Sequence, residues 1–143
     1  MQPVNILLVE DSEGDILLTT EALEGSSLIN SLNVVKNGKD ALDYLHKKGN
    51  YTSVTIPDLI LLDINLPMKN GHEVLAGVKQ SEQLKHIPVI ILTTSSSEKD
   101  IHQSYKHYAN CYITKPVEAG DYTHVINSIE RFWFSLVKLP GRH

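Results

Sequence analysis

Five short apolar runs are spaced along the chain, and longer stretches of mixed polarity separate them. The runs are "VNILLVE" (4–10), "SLNVVKN" (31–37), "DLILLDI" (58–64), "PVIILTT" (88–94) and "CYIT" (111–114). Short apolar runs of this kind predict β-strands. The first, third and fourth runs are continuously apolar, which is typical of strands that helices cover on both faces of a parallel sheet.

The stretches between and after these runs carry apolar residues at helical spacing. They predict five helices, over residues 11–25, 38–49, 70–80, 97–109 and 120–139. Ser12 with Asp15, and Asn70 with Glu73, have the spacing of capping boxes at helix starts. Ser97 opens the fourth helix in the same way.

Strands that alternate with helices favour an α/β fold built on a parallel sheet. The common five-stranded arrangement is flavodoxin-like and doubly wound, with strand order 2-1-3-4-5 and helices on both faces. The length suits one domain, so residues 1–143 are interpreted as a single domain with an extended C-terminal helix. Ligands in such folds bind at the carboxyl ends of the strands, near the point where the strand order reverses.

The composition narrows the classes of function. The chain is 41% apolar and 21% charged, with a net charge of −4, as in a globular protein with its own core. Charges of both signs are scattered, so we expect no nucleic-acid binding. No apolar run is long enough for a membrane span, and no secretion signal opens the chain. Cys111 is the only cysteine, which excludes an internal disulfide, and we expect a cytoplasmic protein.

Polar side chains stand where the predicted strands end. Glu10 and Asp11 end the first strand, Asp63 the third and Thr93 the fourth, and Lys115 follows the fifth. Singly, an aspartate at a strand end is usually a turn former, and a Lys–Pro pair usually marks a loop. In the order 2-1-3-4-5, however, these ends are neighbours along one edge of the sheet. We therefore expect three carboxylates, a hydroxyl and an ammonium to meet there.

This set of groups suits a phosphoryl group. Three adjacent carboxylates resist ionisation without a counterion, and Mg²⁺ prefers oxygen ligands of this type. A metal ion, the Lys115 ammonium and the Thr93 hydroxyl together can recognise phosphoryl oxygens. A nucleotide is not favoured as the phosphoryl source, because the sequence has no glycine-rich phosphate loop. What remains is Asp63 as a nucleophile that becomes an aspartyl phosphate.

Four blocks of the sequence resemble the motifs of response-regulator receiver domains in two-component signalling: "ILLVEDS", "DLILLDINLPMKNG", "PVIILTT" and "CYITKP". The resemblance covers about residues 4–130 and keeps the order and spacing of the blocks. It implies that Asp63 is the phosphoacceptor, assisted by Thr93 and Lys115. It further implies that Mg²⁺, or Mn²⁺, is held by Glu10, Asp11, Asp63 and the backbone carbonyl of Asn65.

The same resemblance implies roles for residues around the phosphoacceptor. Thr93 and Tyr112 would form the switch that responds to phosphate, and Asn65 and Ser95 would tune hydrolysis of the aspartyl phosphate. A cis peptide bond before Pro116 is implied as well. Such a domain catalyses its own phosphorylation and slow dephosphorylation for signalling, and it is not an enzyme acting on a separate substrate.

The last predicted helix carries a wide apolar stripe and a distinctive tail. The tail "ERFWFSLVKLP", with "ANCYITKP", is similar to stand-alone receivers encoded beside cyanobacterial-type phytochromes and related sensor kinases. A sensor histidine kinase, including the phytochrome type, or a phosphotransfer protein is the expected partner, and the apolar tail predicts a homodimer. At α-helical spacing, which leaves out Phe134, the stripe contains Tyr122, Val125, Ile126, Ile129, Phe132, Trp133, Leu136 and Val137.

Two other functions use comparable folds. A phosphohydrolase of the haloacid dehalogenase type also uses a strand-end aspartate and Mg²⁺. It needs a second acid two residues after the nucleophile, where this chain has Asn65. A flavin-binding module needs a hydroxyl- and glycine-rich loop after the first strand, where "VEDSEGD" is acidic. The phosphohydrolase is the main alternative.

Overall fold

The computed structural model describes residues 3–140. Its five parallel strands form one sheet in the order β2-β1-β3-β4-β5, which confirms the predicted fold. The second strand begins and ends two residues before the predicted run 31–37. The strands are β1 (Val4–Val9), β2 (Ile29–Val35), β3 (Leu59–Leu62), β4 (Val89–Thr93) and β5 (Cys111–Thr114).

Five α-helices surround the sheet. They are α1 (Glu13–Leu23), α2 (Gly38–Leu45), α3 (Gly71–Lys79), α4 (Glu98–Lys106) and α5 (Ala119–Ile129). A 3₁₀ turn (Gly49–Tyr51) follows α2, and a π-helix (Glu130–Leu136) continues α5. None of the helices within residues 3–140 combines the length and the apolarity that a membrane span requires.

Local sequence signals explain where most helices begin. The side chains of Ser12, Asn70 and Ser97 each accept a hydrogen bond from a backbone N–H in the first turn of the helix that follows. Asn70 and Glu73 complete the predicted capping box in both directions. The second helix ends at Leu45, before the predicted residue 49, because the chain soon turns through left-handed φ values at residues 47 and 49.

Alternating side chains give the sheet two buried faces. Leu7 and Val9 of β1 belong to a core shared with α2 and α3. Ile6 and Leu8 belong to a second core shared with α1 and α5. All residues of β1, β3 and β4 are buried, as their continuous apolar runs predict. The carboxyl ends of these strands are therefore rigidly supported from both sides.

The last helix leaves α geometry at Glu130. The N–H of Val137 donates to the carbonyl of Phe132 at 2.9 Å, which is the i to i−5 bond of a π-helix. The wider turns rotate the side chains away from the predicted stripe. Phe134, which that stripe left out, is buried in the core, whereas Phe132 and Leu136 are 52% and 71% exposed. The predicted α-helical stripe is therefore wrong at Phe132, Phe134 and Leu136, whereas Trp133 does pack against the core.

Close backbone contacts hold the end of β3 beside the end of β1. The N–H of Asp63 donates to the carbonyl of Val9 at 3.0 Å, and the N–H of Gly71 donates to the carbonyl of Ile64 at 2.8 Å. A Cβ atom on Gly71 would lie 2.3 Å from the carbonyl oxygen of Asp63. Glycine alone permits this approach, so the start of α3 packs directly against the backbone of Asp63.

Candidate functional site

Three acidic residues at the carboxyl ends of β1 and β3 form one cluster, as predicted. Glu10, Asp11 and Asp63 each offer a carboxylate oxygen, and these oxygens all lie within 4.8 Å of one another. Glu10 and Asp63 are buried, and Asp11 is exposed. Grouped oxygen donors that are open to solvent on one side suit a hard divalent cation.

Glu10 is the most deeply buried acid of the cluster. The backbone N–H groups of Asp11 and Ser12 each donate to its Oε2 at 3.1 Å. Burial raises the pKa of Glu10 to about 7; the hydrogen bond from Lys115 opposes this rise, and the charge of Asp63 adds to it. A cation in the cluster would favour the charged form of this carboxylate.

The ammonium group of Lys115 lies among three carboxylates. Its Nζ donates to Oδ2 of Asp15 at 2.8 Å and to Oδ2 of Asp63 at 2.9 Å, and it also donates to Oε1 of Glu10. Burial alone would lower the pKa of Lys115, but these hydrogen bonds raise it above its ordinary value. The buried lysine therefore stays positively charged.

The lysine reaches the acids through an ordinary trans backbone. Every peptide bond in the described part of the chain is trans, including the bond before Pro116. The expectation of a cis bond at that position is therefore wrong. The hydrogen bonds of Lys115 form without it, because the end of β5 already directs the side chain toward the carboxyl edge of the sheet.

Both carboxylate oxygens of Asp63 accept hydrogen bonds. Oδ2 accepts from Lys115, and Oδ1 accepts from the backbone N–H of Asn65 at 3.1 Å. The Asn65 residue is exposed next to the cluster. Its carbonyl as a metal ligand stays a prediction.

The predicted switch and tuning residues at the end of β4 are connected through one backbone segment. Thr93 is fully buried, and its Oγ1 accepts a hydrogen bond from the N–H of Ser95 at 3.4 Å. The hydroxyl of Tyr112 on β5 donates to the carbonyl of Ser95 at 2.8 Å. A movement of Thr93 would therefore reach Tyr112 through Ser95.

Sequence reasoning missed a side-chain pair that holds this segment. The Ser95 hydroxyl donates to Oδ2 of Asp100 at 2.6 Å, and Nε2 of His72 lies 2.9 Å from Oδ1 of Asp100. These two hydrogen bonds, that of Ser95 first, lower the pKa of the Asp100 carboxyl. Periodicity places each residue on its own helix, but it carries no signal that the two helices meet here.

Asp15 was also missed as a member of the site. The sequence assigned it to a capping box, and Oγ of Ser12 does accept the N–H of Asp15 at 3.3 Å. Its carboxylate, however, binds Lys115. The signal that could have indicated this is its position on the first turn of α1, directly after the acids that end β1.

An apolar groove lies between β5 and the last helix. It has a volume of about 520 Å³. Its apolar lining includes Ile113, Val125, Ile129, Phe132 and Trp133. This groove is part of the apolar surface that the sequence associated with a partner.

Comparison with known proteins agrees with this geometry. The family model described as the response regulator receiver domain matches residues 6–127. Response regulator Rcp1 from Synechocystis sp. is 45% identical over 139 residues, which cover 97% of this chain and 95% of that protein.

Two solved structures are also similar. The phosphorylated cyanobacterial phytochrome response regulator RcpA matches with a TM-score of 0.95 and 44% identity, covering 98% of this chain and 100% of that one. The Mn²⁺-bound form of response regulator Rcp1 matches with a TM-score of 0.94 and 45% identity, covering 97% and 100%. These matches do not favour the phosphohydrolase or the flavin-binding alternatives.

Proposed function

Since the chain belongs to the family of response regulator receiver domains, we propose that Asp63 is its phosphoacceptor in a phosphorelay. The observation that carries this proposal is the position of the Asp63 carboxylate, which is buried at the end of β3 next to the Lys115 ammonium. Glu10 and Asp11 lie in the same cluster. A nucleophile, a cation-binding group and a fixed positive charge are the parts that phosphoryl transfer uses.

In the proposed reaction, one carboxylate oxygen of Asp63 attacks the phosphorus atom of a phosphohistidine. A P–O bond forms, giving an acyl phosphate, and the P–N bond to the imidazole breaks. The imidazole leaves with the electron pair of that bond and takes up a proton from water. Lys115 faces the phosphoryl oxygens and stabilises their negative charge in the transition state.

The phosphoryl group is removed in a separate reaction, by hydrolysis. A water molecule attacks the same phosphorus atom, the bond between phosphorus and the Asp63 oxygen breaks, and inorganic phosphate leaves. The carboxylate is restored, and the domain can accept another phosphoryl group. We expect this self-catalysed cycle to set the lifetime of the signal.

Glu10, Asp11, Asp63 and the carbonyl of Asn65 are the residues that would hold Mg²⁺ or Mn²⁺. When bound, the ion supplies positive charge that balances the acids and the phosphoryl oxygens. The proposal is supported by the carboxylate oxygens that lie within 4.8 Å of one another. It is also supported by the Mn²⁺-bound form of the similar protein Rcp1.

Thr93 and Tyr112 are the proposed switch. The Thr93 hydroxyl would turn toward a phosphoryl oxygen and so disturb its contact with the N–H of Ser95. The Ser95 carbonyl would shift, and the Tyr112 ring that is bound to it would adopt another rotamer. A charge change at Asp63 would thereby alter the surface that a partner contacts. Asn65 and Ser95 would tune the access of water to the phosphoryl group.

A sensor histidine kinase, including the phytochrome type, or a phosphotransfer protein is the proposed phosphoryl donor. The similarity to RcpA, a cyanobacterial phytochrome response regulator, supports a kinase of the phytochrome type. We propose the cytoplasm as the place of transfer, because the kinase draws its phosphoryl groups from ATP.

The apolar groove at the last helix supports a homodimer. Phe132 is 52% exposed there, and a second copy would cover it. Sedimentation equilibrium with and without beryllofluoride tests this. We expect a dimer that Phe132→Ala weakens and that Leu17→Ala, a change at a 56% exposed leucine, leaves intact. A strict monomer at high concentration in both conditions would refute the dimer.

The phosphoacceptor is tested by incubating the protein with Mg²⁺ and acetyl phosphate. Intact-mass measurement should show one added phosphoryl group in the wild type and none in Asp63→Asn. Chelation of the metal should also abolish the addition. Asp121→Asn, a change at an exposed aspartate on α5, should be modified like the wild type. Folded wild-type protein that stays unmodified, or modification that persists in Asp63→Asn, would overturn the assignment.

A further inference from the structure

Asp15 is the third acid around the buried lysine, and it comes from a helix and not from a strand end. Its Oδ2 lies 2.8 Å from Nζ of Lys115; the side chains are 26% and 3% exposed. The backbone of Asp15 is fixed independently of its carboxylate. Its N–H donates to Oγ of Ser12, and its carbonyl accepts the hydroxyl of Thr19 at 2.8 Å. The carboxylate is therefore presented to Lys115 by a rigid first turn of α1.

The three acids around Lys115 are not equivalent. Glu10 and Asp63 also belong to the group of oxygens that could hold a metal ion, whereas Asp15 is outside that group. A lysine ammonium has three donor protons, and here each has one carboxylate acceptor. With Glu10 and Asp63 occupied by a cation, their attraction for the ammonium is reduced, and cation and ammonium repel each other.

We propose that Asp15 is a positioning residue for Lys115, keeping the ammonium at the site when Glu10 and Asp63 bind a metal ion. One N–H of the ammonium would keep its hydrogen bond to Asp15, and the other two would be free to face the phosphoryl oxygens. This inference rests on the proposed metal binding at Glu10, Asp11 and Asp63.

A purely structural role for Asp15, in which it stabilises α1 and does not position Lys115, can be tested separately. An acid in the first turn of a helix stabilises the helix through the macrodipole. Glu13 lies in the same turn and pairs with the exposed Lys36 at 2.6 Å. Glu13→Gln therefore changes the helix terminus by the same charge as Asp15→Asn but leaves Lys115 untouched, so it is the matched control.

Nuclear magnetic resonance of protein labelled with ¹⁵N-lysine follows the ammonium directly, and Lys115→Arg identifies its signal. A held ammonium exchanges its protons with water slowly and gives a sharp signal. Without metal, we expect this signal in the wild type, Asp15→Asn and Glu13→Gln, because Glu10 and Asp63 remain as acceptors. With saturating Mg²⁺, the signal should persist in the wild type and Glu13→Gln and broaden away in Asp15→Asn. Asp15→Glu should restore it.

The outcomes separate the two proposals. A sharp Lys115 signal in Mg²⁺-loaded Asp15→Asn would overturn only the proposed role of Asp15. Chemical-shift changes at Asp63 on adding Mg²⁺ would still support the metal site. If Mg²⁺ causes no chemical-shift changes at Asp63 in the wild type, both the metal site and this inference are overturned. In parallel, phosphorylation of Asp15→Asn by acetyl phosphate at saturating Mg²⁺ should be roughly threefold to tenfold slower than that of Glu13→Gln, as for a weakened charged hydrogen bond. An equal rate in both variants would also contradict the inference.

Discussion

Nε2 of His72 lies 2.9 Å from Oδ1 of Asp100, and this contact joins the first turn of α3 to the first turn of α4. The two side chains are 12% and 27% exposed, so the contact is largely shielded from water. Gly71, directly before His72, packs on the backbone of Asp63, and Asp100 also accepts the hydroxyl of Ser95. The pair therefore connects the proposed phosphoacceptor to the proposed switch segment.

Breaking this pair should loosen the switch segment. In His72→Ala we expect the amides of Ser95 and Ser97 to exchange hydrogen roughly threefold to tenfold faster, as for the loss of one partly buried hydrogen bond. Asp100→Ala also loses the bond from Ser95, so its effect should be at least as large. Beryllofluoride should bind more tightly, because less free energy is then needed to move the segment. Hydrogen exchange measured by mass spectrometry and a beryllofluoride titration check both results.

The coupling of the two residues is tested with the double variant. If the two residues act as one unit, the amides of Ser95 and Ser97 in the double variant His72→Ala/Asp100→Ala should exchange more slowly than the sum of the two single effects predicts. His102→Ala, a change at an exposed histidine on α4, is the control and should behave like the wild type. Wild-type exchange in both single variants would show that the pair does not hold the segment.

The strands and the acids at their ends were predictable for a physical reason. Residues of β1, β3 and β4 are buried on both faces, so their sequences contain almost no polar interruption. The strand order then determines which strand ends are neighbours, and it predicts that Glu10, Asp63 and Lys115 lie close together. The second strand is only partly buried, its pattern is weaker, and its position was wrong by two residues.

The groups that were missed depend on distances that periodicity does not contain. Asp15 meets Lys115 because of how far α1 sits from the edge of the sheet, and His72 meets Asp100 because of how closely α3 approaches α4. A helical pattern gives the face on which a side chain lies but not the gap to the next helix. Phe134 was misplaced because the pattern assumed α geometry, which ends at Ile129.

Asn65 is expected to affect how long the phosphoryl group stays on Asp63. Its N–H donates to Oδ1 of Asp63, so its side chain starts beside the carboxylate that would carry the phosphoryl group. Asn65→Arg adds bulk there and should block the approach of water, prolonging the phosphorylated state severalfold. Decay of radiolabelled aspartyl phosphate measures the lifetime. Asn65→Ala is the control that separates loss of the amide from added bulk. An unchanged decay rate in Asn65→Arg would contradict the prediction.

Tyr122 should make the stability of the fold sensitive to alkaline pH. Burial raises its pKa from 10.0 to about 12, although the hydrogen bond with Thr19 acts in the opposite direction. The hydroxyl oxygens of Tyr122 and Thr19 lie 2.9 Å apart, but burial outweighs the effect of this contact on the pKa of Tyr122. The fold thus favours the neutral phenol over the phenolate.

The sign of the pH effect follows from this raised pKa. A group whose pKa is higher in the folded state contributes stability that is fully present below its unfolded pKa and is lost as pH rises. The loss should run from pH 10.0 to about 12. Urea unfolding across this range should show a steeper loss of stability in the wild type than in Tyr122→Phe. Tyr108→Phe, at a 74% exposed tyrosine, should match the wild type; equal slopes in all three proteins would contradict the prediction.

The two phenylalanines of the π-helix give opposite expectations for stability. Phe134 is 4% exposed and packs in the core shared with α1 and α5, whereas Phe132 is 52% exposed. Phe134→Ala should lower the free energy of unfolding by about 3–5 kcal/mol, because it leaves a cavity. Phe132→Ala should change it by about 0.5 kcal/mol or less, as is usual at the surface. The two variants differ only in which ring is removed, so each controls for the other, and urea unfolding of the monomer at low concentration measures both. An uninterrupted α-helix would place Phe132 on the apolar stripe and Phe134 off it, so the reverse ranking would show that the helix continues in α geometry past Ile129.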